Sequence, residues 1–341
     1  MNDVLRQRLF GSAVELWDPV TLSISGAIVV LVGLSGGLLW LLQKRKILAP
    51  ETATDAFGRW KSWTWLSLCM LLPVLLGPVF TIAAVTLLSL GGYREFARAT
   101  GLFRHFLIST AVVAGILLVN FAVLDHFDRL FFATAPLTIA LVTVLSIPQD
   151  RPTGYLQRIA LGAIGFLLFG FSFAYIGNMT NAPGYRPFLL LMLLAVSSSD
   201  IFAYCFGKAF SRHPLLPNTS PGKTVENAMG SLALTTLLVM AGGHFVFAGT
   251  PMGLWYRLLM LGLLIGFLGQ LGDLVVSSIK RDVGIKDNVG IKDTGVLIPG
   301  HGGLLDRFDS LLLVPPAVYH FLSLHLGPLG EETPARILTG G

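Results

Sequence analysis

Apolar stretches of about 20 residues recur along almost the whole chain, separated by short polar segments. A helix of that length crosses the hydrocarbon core of a bilayer, which is about 30 Å thick. The pattern therefore predicts an all-α, polytopic transmembrane helical bundle of about nine or ten spans. The ten predicted spans lie near 22–43, 63–77, 79–97, 105–124, 130–147, 159–178, 187–206, 228–248, 254–279 and 308–326.

The composition supports one membrane domain over residues 1–341. Hydrophobic residues make up 53% of the chain and charged residues 13%, whereas soluble proteins carry about 25% charged residues. We expect the first span to act as an anchor, because it is too long for the core of a cleavable signal peptide. Pro73, Gly77 and Pro78 interrupt the apolar run at 63–97, which favours two helices in a tight hairpin over the alternative of one kinked helix.

The basic residues are distributed unequally between the two sides of this predicted bundle. Ten spans place 18 of the 24 Lys and Arg residues on one side and 6 on the other. Since cytoplasmic loops carry the excess of Lys and Arg, both termini should lie outside and the basic loops in the cytoplasm. The net charge of +5 follows from these short loops, so no nucleic-acid partner is predicted.

Acidic residues mark a candidate metal site towards the C-terminus. Asp200 and Asp273 lie in apolar spans, where an ionisable side chain is costly and is by default a functional candidate. Asp306 and Asp309 are three residues apart, so on a helix they share one face. Carboxylates without Cys or paired His suit a hard cation such as Mg²⁺. We predict Asp273, Asp306 and Asp309 as ligands of Mg²⁺, with a second cation left open.

The segment around these acidic residues is also rich in groups that bind phosphate. Arg binds phosphate as a bidentate fork and Lys as a point charge. The glycine-rich turn at 299–303 allows a ligand to approach the backbone, and His301 within it is a candidate donor to phosphate. The basic candidates in this segment are Lys280, Arg281, Lys286, Lys292 and Arg307.

A second polar loop, 207–227, contains Ser220, Lys223, Thr224 and Glu226. Its SPGKT string lacks the second glycine of a P-loop and no strand is predicted before it, which argues against a Walker-type nucleotidase. We interpret it as a basic, hydroxyl-rich turn that contacts nucleotide or phospholipid phosphate. A plain helix cap is the alternative.

Together these segments resemble the phosphatidate cytidylyltransferases, or CDP-diacylglycerol synthases. The resemblance is carried by "DIFAYCFGK" from Asp200, "SPGKTVE" from Ser220, and a C-terminal pattern. That pattern comprises Ser277, Ile279, Lys280, Arg281, a Lys-Asp pair, the turn 299–303, Asp306, Arg307 and Asp309. These elements span roughly 110 residues, and the pattern of spans agrees over most of the chain.

The resemblance implies Mg²⁺-dependent transfer of a cytidylyl group from CTP to phosphatidate in phospholipid synthesis, giving CDP-diacylglycerol and pyrophosphate. It implies an enzyme of the bacterial inner membrane whose active site, in loops 207–227 and 280–307, faces the cytoplasm; a homodimer is left open. The implied catalytic residues are Asp273, Asp306, Lys280, Arg281 and His301. The implied substrate-binding residues are Asp200, Ser220, Lys223, Thr224, Glu226, Lys286, Asp287, Lys292, Asp293 and Arg307.

The chain departs from the family pattern in three places, one of which is the run of three serines before Asp200. The family has one Lys-Asp pair before the glycine turn, whereas "VGIKD" occurs twice here, so either Lys286–Asp287 or Lys292–Asp293 holds the usual position. We hypothesise that the extra hexapeptide loops out and weakens nucleotide binding. In addition, Asn227 stands where the family has glycine.

Three other functions compete with this interpretation. Many spans with buried acidic residues also suit a secondary transporter, although no internal symmetry is visible. Another CTP-dependent lipid enzyme is the second alternative, and a CDP-alcohol phosphotransferase is disfavoured because its D-G-x-x-A-R motif is absent. The third is a catalytically impaired homologue with a scaffolding role, since fold alone does not establish activity.

Overall fold

The computed structural model of the protein describes residues 8–11, 17–45, 50–150, 152–210, 212–284, 303–327, 329 and 336–339. The helices are α1 (Pro19–Lys44), α2 (Pro50–Leu76), α3 (Pro78–Thr100), α4 (Phe106–Leu124), α5 (Asp128–Leu145), α6 (Tyr155–Gly165), a π-helix (Phe166–Phe171), α7 (Ser172–Met179), α8 (Tyr185–Phe210), α9 (Val225–Val246), α10 (Trp255–Asp282), α11 (Leu305–Phe308) and α12 (Val314–Leu326). Short 3₁₀ turns lie at Leu102–Arg104, Ile147–Gln149, Pro251–Gly253 and Asp309–Leu311, and two strands at β1 (Pro214–Leu216) and β2 (Ser220–Thr224).

The all-α membrane bundle is confirmed, but the predicted nine or ten spans are not. Within the described residues, 7 helices are long and apolar enough to cross a membrane. These are Pro19–Lys44, Phe106–Leu124, Asp128–Gln149, Tyr155–Met179, Tyr185–Gly207, Val225–Val246 and Trp255–Asp282.

The three remaining predicted spans each differ from a full apolar helix for a physical reason. In α2 only the part Ser67–Leu76 is apolar. The last two turns of α3 carry Arg94, Glu95 and Arg98. Helix α12 has 13 residues and is about 20 Å long. It is therefore too short to cross the hydrocarbon core, which is about 30 Å thick and requires about 20 helical residues. The first residues of the predicted span 308–326 instead form short helical turns.

The predicted break between the second and third spans lies at Gly77. Its φ is 133°, and a Cβ there would lie 2.5 Å from the Phe10 carbonyl oxygen. A glycine is therefore required for both the conformation and the close approach. Pro78 occupies the first helical position of α3, where its missing N–H is harmless. The run is thus two helices and not one kinked helix.

The core of the bundle lies where α3, α4, the π-helix and α7 pack together. Phe96, Phe166, Phe169 and Phe173 are buried there, and the Phe96 and Phe169 ring centroids are 5.4 Å apart. A π-helical turn inside a span frequently marks a functional region. Here it precedes Ser172, whose buried hydroxyl donates a hydrogen bond to the Leu312 carbonyl.

The polar loop between α8 and α9 forms an antiparallel β-hairpin. Pro214 pairs with Thr224, and Leu216 with Ser220. The predicted turn at SPGKT is therefore wrong, since those residues form β2, and a strand does precede them. Short polar residues and proline are weak predictors of strands, which explains the error. The prediction that residues 1–341 form one catalytic domain stays a prediction.

Candidate functional site

A polar cavity of about 330 Å³ lies between α8, α9, α10 and the segment 303–313. Most of its lining residues carry charged or hydrogen-bonding side chains: Ser199, Asp200, Ala203, Lys223, Asn227, Ala228, Gln270, Asp273, Asp306, Arg307 and Asp309. The four carboxylates come from three separate parts of the chain, so the fold gathers the acidic residues that the sequence pattern singled out. The lining also includes Lys223 and Arg307.

Asp273 is oriented by two neighbours in this cavity. Its Oδ2 atom lies 2.5 Å from the Lys223 Nζ atom, and its Oδ1 atom accepts a 3.3 Å hydrogen bond from Ser277. Lys223 comes from β2 and Asp273 from α10, so the pair joins the hairpin to a spanning helix. Both side chains are only partly exposed, at 21% and 30%. Partial burial makes the pair stronger than a solvent-exposed ion pair.

Asp306 and Asp309 belong to a segment that we call the acidic turn, residues 304–312. It comprises α11 and the 3₁₀ turn Asp309–Leu311. Asp306 forms an ion pair with Lys280 of α10. Asp309 accepts a 2.8 Å hydrogen bond from the Ser310 N–H, and the Ser310 hydroxyl donates to Asp200 at 3.0 Å. The acidic turn is thereby connected to both α8 and α10.

The electrostatics around Asp309 favour a cation. Burial raises the pKa of the Asp309 carboxyl well above its usual range, and the neighbouring charges of Asp273 and Asp200 raise it further, against hydrogen bonding by Ser310. Asp309 lies outside the seven spanning helices. Carboxylates that repel one another across a cavity accept a positive ligand readily.

Two buried side chains that the sequence analysis missed hold the acidic turn in place. Glu95 of α3 is 3% exposed, and its Oε1 and Oε2 atoms accept hydrogen bonds from the backbone N–H groups of Leu304 and Leu305, at 3.0 and 2.8 Å. At the other end, the Ser172 hydroxyl donates to the Leu312 carbonyl. The signal for Glu95 was available, because it is an acidic residue in a predicted span, as Asp200 and Asp273 are.

Helix α10 approaches the acidic turn at Gly272. A Cβ at Gly272 would collide with the Asp309 carbonyl oxygen, whereas a Cβ at Gly269 would lie 3.7 Å from the Ser310 carbonyl oxygen, an ordinary contact. Since Gly272 precedes Asp273 in the chain, this contact fixes the distance between two carboxylates of the cavity.

Several predicted site residues do not line the polar cavity. Thr224 caps α9: its side chain accepts from the Asn227 N–H at 3.3 Å, while the Asn227 side chain accepts from the Thr224 N–H at 3.0 Å. This is the helix-cap alternative, and it gives a role to the asparagine that departs from the family pattern. Glu226 contacts His213, with 2.5 Å between Oε1 and Nδ1.

The remaining predictions concern residues beside the cavity or outside the described part of the chain. Ser220 is buried in β2, and the Arg281 Nε atom donates to the Thr219 carbonyl at 3.1 Å, which attaches α10 to the hairpin. Lys280 reaches the site through its pair with Asp306. The predicted residues outside the described ranges are His301, Lys286, Asp287, Lys292 and Asp293.

The carboxylates match a hard divalent cation in chemistry, since all their donor atoms are oxygens. Among the described residues, however, no three His, Cys, Asp or Glu side chains are grouped as a ready-made metal site. Asp273 and Asp306 are instead each paired with a lysine. The oxygen donors therefore fit Mg²⁺, whereas in this structure the Asp273 and Asp306 carboxylates form ion pairs with lysines.

Comparison with known proteins gives matches over most of the chain. The sequence model of the cytidylyltransferase family matches residues 57–325. A protein of Escherichia coli (strain K12), "Uncharacterized protein YnbB", is 31% identical over 291 residues, which cover 84% of this chain and 91% of that protein.

Two enzymes that are each named phosphatidate cytidylyltransferase match a shorter region. The one from Staphylococcus aureus (strain COL) is 39% identical over 174 residues, and the one from Staphylococcus epidermidis is 37% identical over 174 residues. Each match covers 51% of this chain and 61% of the staphylococcal enzyme. The chain thus spans less than two thirds of the length of these relatives.

Proposed function

The chain belongs to the cytidylyltransferase family, and we propose that it is a phosphatidate cytidylyltransferase, which transfers a cytidylyl group from CTP to phosphatidate. A phosphate oxygen of phosphatidate attacks the α-phosphorus of CTP and forms the new P–O bond. The bond from the α-phosphorus to the oxygen bridging to the β-phosphate breaks, so that CDP-diacylglycerol and pyrophosphate are released. The observation that carries the proposal is the gathering of four carboxylates with Lys223 and Arg307 around one cavity in an apolar bundle.

The residues of the polar cavity suit this reaction because it needs positioning and charge neutralisation more than covalent catalysis. Lys223 and Arg307 line the cavity and would neutralise phosphate oxygens of the nucleotide or the lipid. Lys280 would act from beside Asp306. The acidic partners hold both lysines in place before substrate binds, which lowers the entropic cost of ordering them.

We further propose that Asp273, Asp306 and Asp309 hold Mg²⁺, with a second cation left open. When bound, the ion would supply positive charge that offsets the negative charge developing on the phosphates during transfer. Asp200 would position the acidic turn through its hydrogen bond with Ser310. The support for this proposal is the oxygen-only donor set and the mutual repulsion of the carboxylates.

The location of the cavity suits one water-soluble substrate and one lipid. The last turn of α10 contains Lys280 and Arg281, and basic residues mark the cytoplasmic side of a membrane protein. We therefore place the cavity at the cytoplasmic edge of a bacterial inner membrane, where CTP enters from the water and phosphatidate from the bilayer. Neither the comparisons nor the cavity favours the transporter, the other lipid enzymes or the impaired homologue, and homodimerisation stays a prediction.

Product analysis of the purified protein in detergent tests the function. With CTP, Mg²⁺ and phosphatidate, we expect pyrophosphate and CDP-diacylglycerol in equal amounts, measured by a coupled phosphate assay and mass spectrometry. Diacylglycerol serves as the control lipid, since it lacks the attacking phosphate. Formation of CDP from diacylglycerol would indicate a CTP-dependent lipid kinase, and no turnover of either lipid would refute the proposal.

Replacing Gly272 by Ala is expected to lower kcat about 100-fold, because a shift on the order of 1 Å in a catalytic group costs that much. The added methyl group collides with the Asp309 backbone, so the acidic turn has to move away from Asp273. Overpacking should also cost about 1–3 kcal/mol of stability.

The matched control is Gly269→Ala, one helical turn earlier on the same face of α10, where the added methyl group makes only an ordinary contact. Its kcat should stay within about twofold of wild type, as for a substitution worth under 0.5 kcal/mol. Equal activities of the two variants would show that the close contact at Gly272 does not set the geometry of the site.

A further inference from the structure

A second cavity, largely apolar, lies on the opposite side of the acidic turn. Its volume is about 470 Å³, within the range of about 300–1,000 Å³ for ligand pockets. We call it the apolar groove. Its walls are formed by α2 and α3 together with the acidic turn, represented by Leu68, Leu72, Ala84, Leu88, Leu304 and Phe308.

The acidic turn separates the two cavities and contributes side chains to both. Leu304 and Phe308 are four residues apart, so they share one helical face, and both line the apolar groove. Asp306, Arg307 and Asp309 line the polar cavity. A single turn thus presents charged groups to one side and hydrocarbon to the other.

The wall of the apolar groove contains few hydrogen-bonding groups. Thr81 is a polar residue in its wall, and its hydroxyl is already satisfied, because it lies 3.0 Å from the Pro73 carbonyl oxygen and 3.1 Å from that of Gly77. From Leu88 the lining continues along α3 to Thr81, a distance of about 10 Å along the helix axis. A hydrocarbon chain fits such a surface, whereas a polar ligand would lose its hydration without compensation.

We infer that the apolar groove holds an acyl chain of the lipid substrate while the phosphate of the same lipid lies in the polar cavity. The inference rests on the proposed function and adds the place where the lipid tail binds. The wall that the two cavities share selects this occupant, because an amphiphile has both the charged part and the apolar part needed to contact the two faces of the acidic turn at once.

The groove acts mainly through geometry. Lipid tails are as apolar as leucine, so moving an acyl chain from the bilayer into the groove gains little hydrophobic energy. A chain packed against Leu304 and Phe308 instead fixes the position of the head group relative to Asp306 and Asp309. Blocking the groove should therefore displace the phosphate of a long-chain lipid but leave a short-chain lipid free to reach the cavity.

The test compares two phosphatidates, one with dioleoyl and one with dihexanoyl chains, at saturating CTP and Mg²⁺. The variant Ala84→Phe places a ring inside the groove. We expect its ratio of long-chain to short-chain kcat/KM to fall about tenfold or more relative to wild type, since misplacing a reacting group by 1 Å costs up to about 100-fold. The control is Ala140→Phe, because Ala140 is exposed on α5 and lines none of the described cavities; its ratio should not change.

The outcomes separate this inference from the proposed function. An Ala84→Phe ratio equal to that of wild type, or an equal loss on both lipids in a stably folded variant, would overturn the groove as an acyl site. A wild-type protein inactive on both lipids would refute the proposed function instead. If Ala84→Phe does not fold, Leu72→Phe on the opposite wall is measured by the same ratio, with the same expected fall.

Discussion

Replacing Asp273 by Asn is expected to lower kcat for CDP-diacylglycerol formation by roughly 10²–10³-fold, the usual cost of removing one preorganised electrostatic group. Asn has nearly the same shape as Asp, so the loss reports charge and not packing. Two effects add: a proposed ligand of Mg²⁺ becomes neutral, and Lys223 loses the carboxylate that lies 2.5 Å from its Nζ atom. The measurement is the steady-state rate of pyrophosphate release with phosphatidate.

The Mg²⁺ dependence of the same variant distinguishes metal binding from a general loss of structure. If Asp273 is a ligand, the Mg²⁺ concentration for half-maximal rate should rise in Asp273→Asn. The matched control is Asp282→Asn, because Asp282 lies on the same helix, is exposed and does not line the polar cavity. A wild-type Mg²⁺ dependence in Asp273→Asn would remove this residue from the metal site, and equal rates in both variants would remove it from catalysis.

The pairing of Lys223 with Asp273 predicts that their effects are not additive. Lys223→Met should also lower kcat, because the cation proposed to neutralise the phosphates is lost. Residues in direct contact commonly show coupling of about 0.5–3 kcal/mol. The double variant should therefore lose less than the sum of the two single losses, and strict additivity would show that the lysine and the carboxylate act independently.

Local rules identified the acidic residues of the site from the sequence. The cost of an ionisable group in an apolar span selected Asp200 and Asp273, and the spacing of three residues placed Asp306 and Asp309 together. All four line one cavity. These rules work because they depend on the solvent and on helix geometry near each residue, and not on the rest of the fold.

Features that depend on distant contacts could not be predicted in this way. Glu95 and Leu304 are 209 residues apart. No local sequence pattern indicates which backbone N–H groups donate hydrogen bonds to a buried carboxylate. The predicted number of spans is not confirmed for a related reason. Residues from 308 onwards are apolar enough for a span, but the backbone bends at Asp309–Leu311 to bring Asp309 to the cavity, so only 13 residues remain for α12.

The role of Glu95 leads to the second large expected effect. Glu95→Ala removes both acceptors for the N–H groups of Leu304 and Leu305, and each unpaired buried group costs about 1–3 kcal/mol. The start of the acidic turn, two residues before Asp306, then loses its fixed position. We expect kcat to fall about 100-fold, with a smaller change in KM for CTP, because Lys223 does not contact this part of the turn in the described hydrogen bonds and ion pairs.

A graded series distinguishes positioning by Glu95 from loss of folding. Gln in place of Glu95 keeps one carbonyl oxygen as an acceptor but presents an NH₂ group to the second N–H, so Glu95→Gln should recover part of the rate lost in Glu95→Ala. The control, Arg98→Ala, alters an exposed residue one turn further along α3 and should change the rate by no more than about twofold. If Glu95→Ala lowers the thermal midpoint in detergent while kcat of the folded fraction stays at the wild-type value, Glu95 serves folding alone. A loss of kcat in the folded protein, partly restored by Gln, would instead show that a buried carboxylate on α3 sets the position of the carboxylates in the polar cavity.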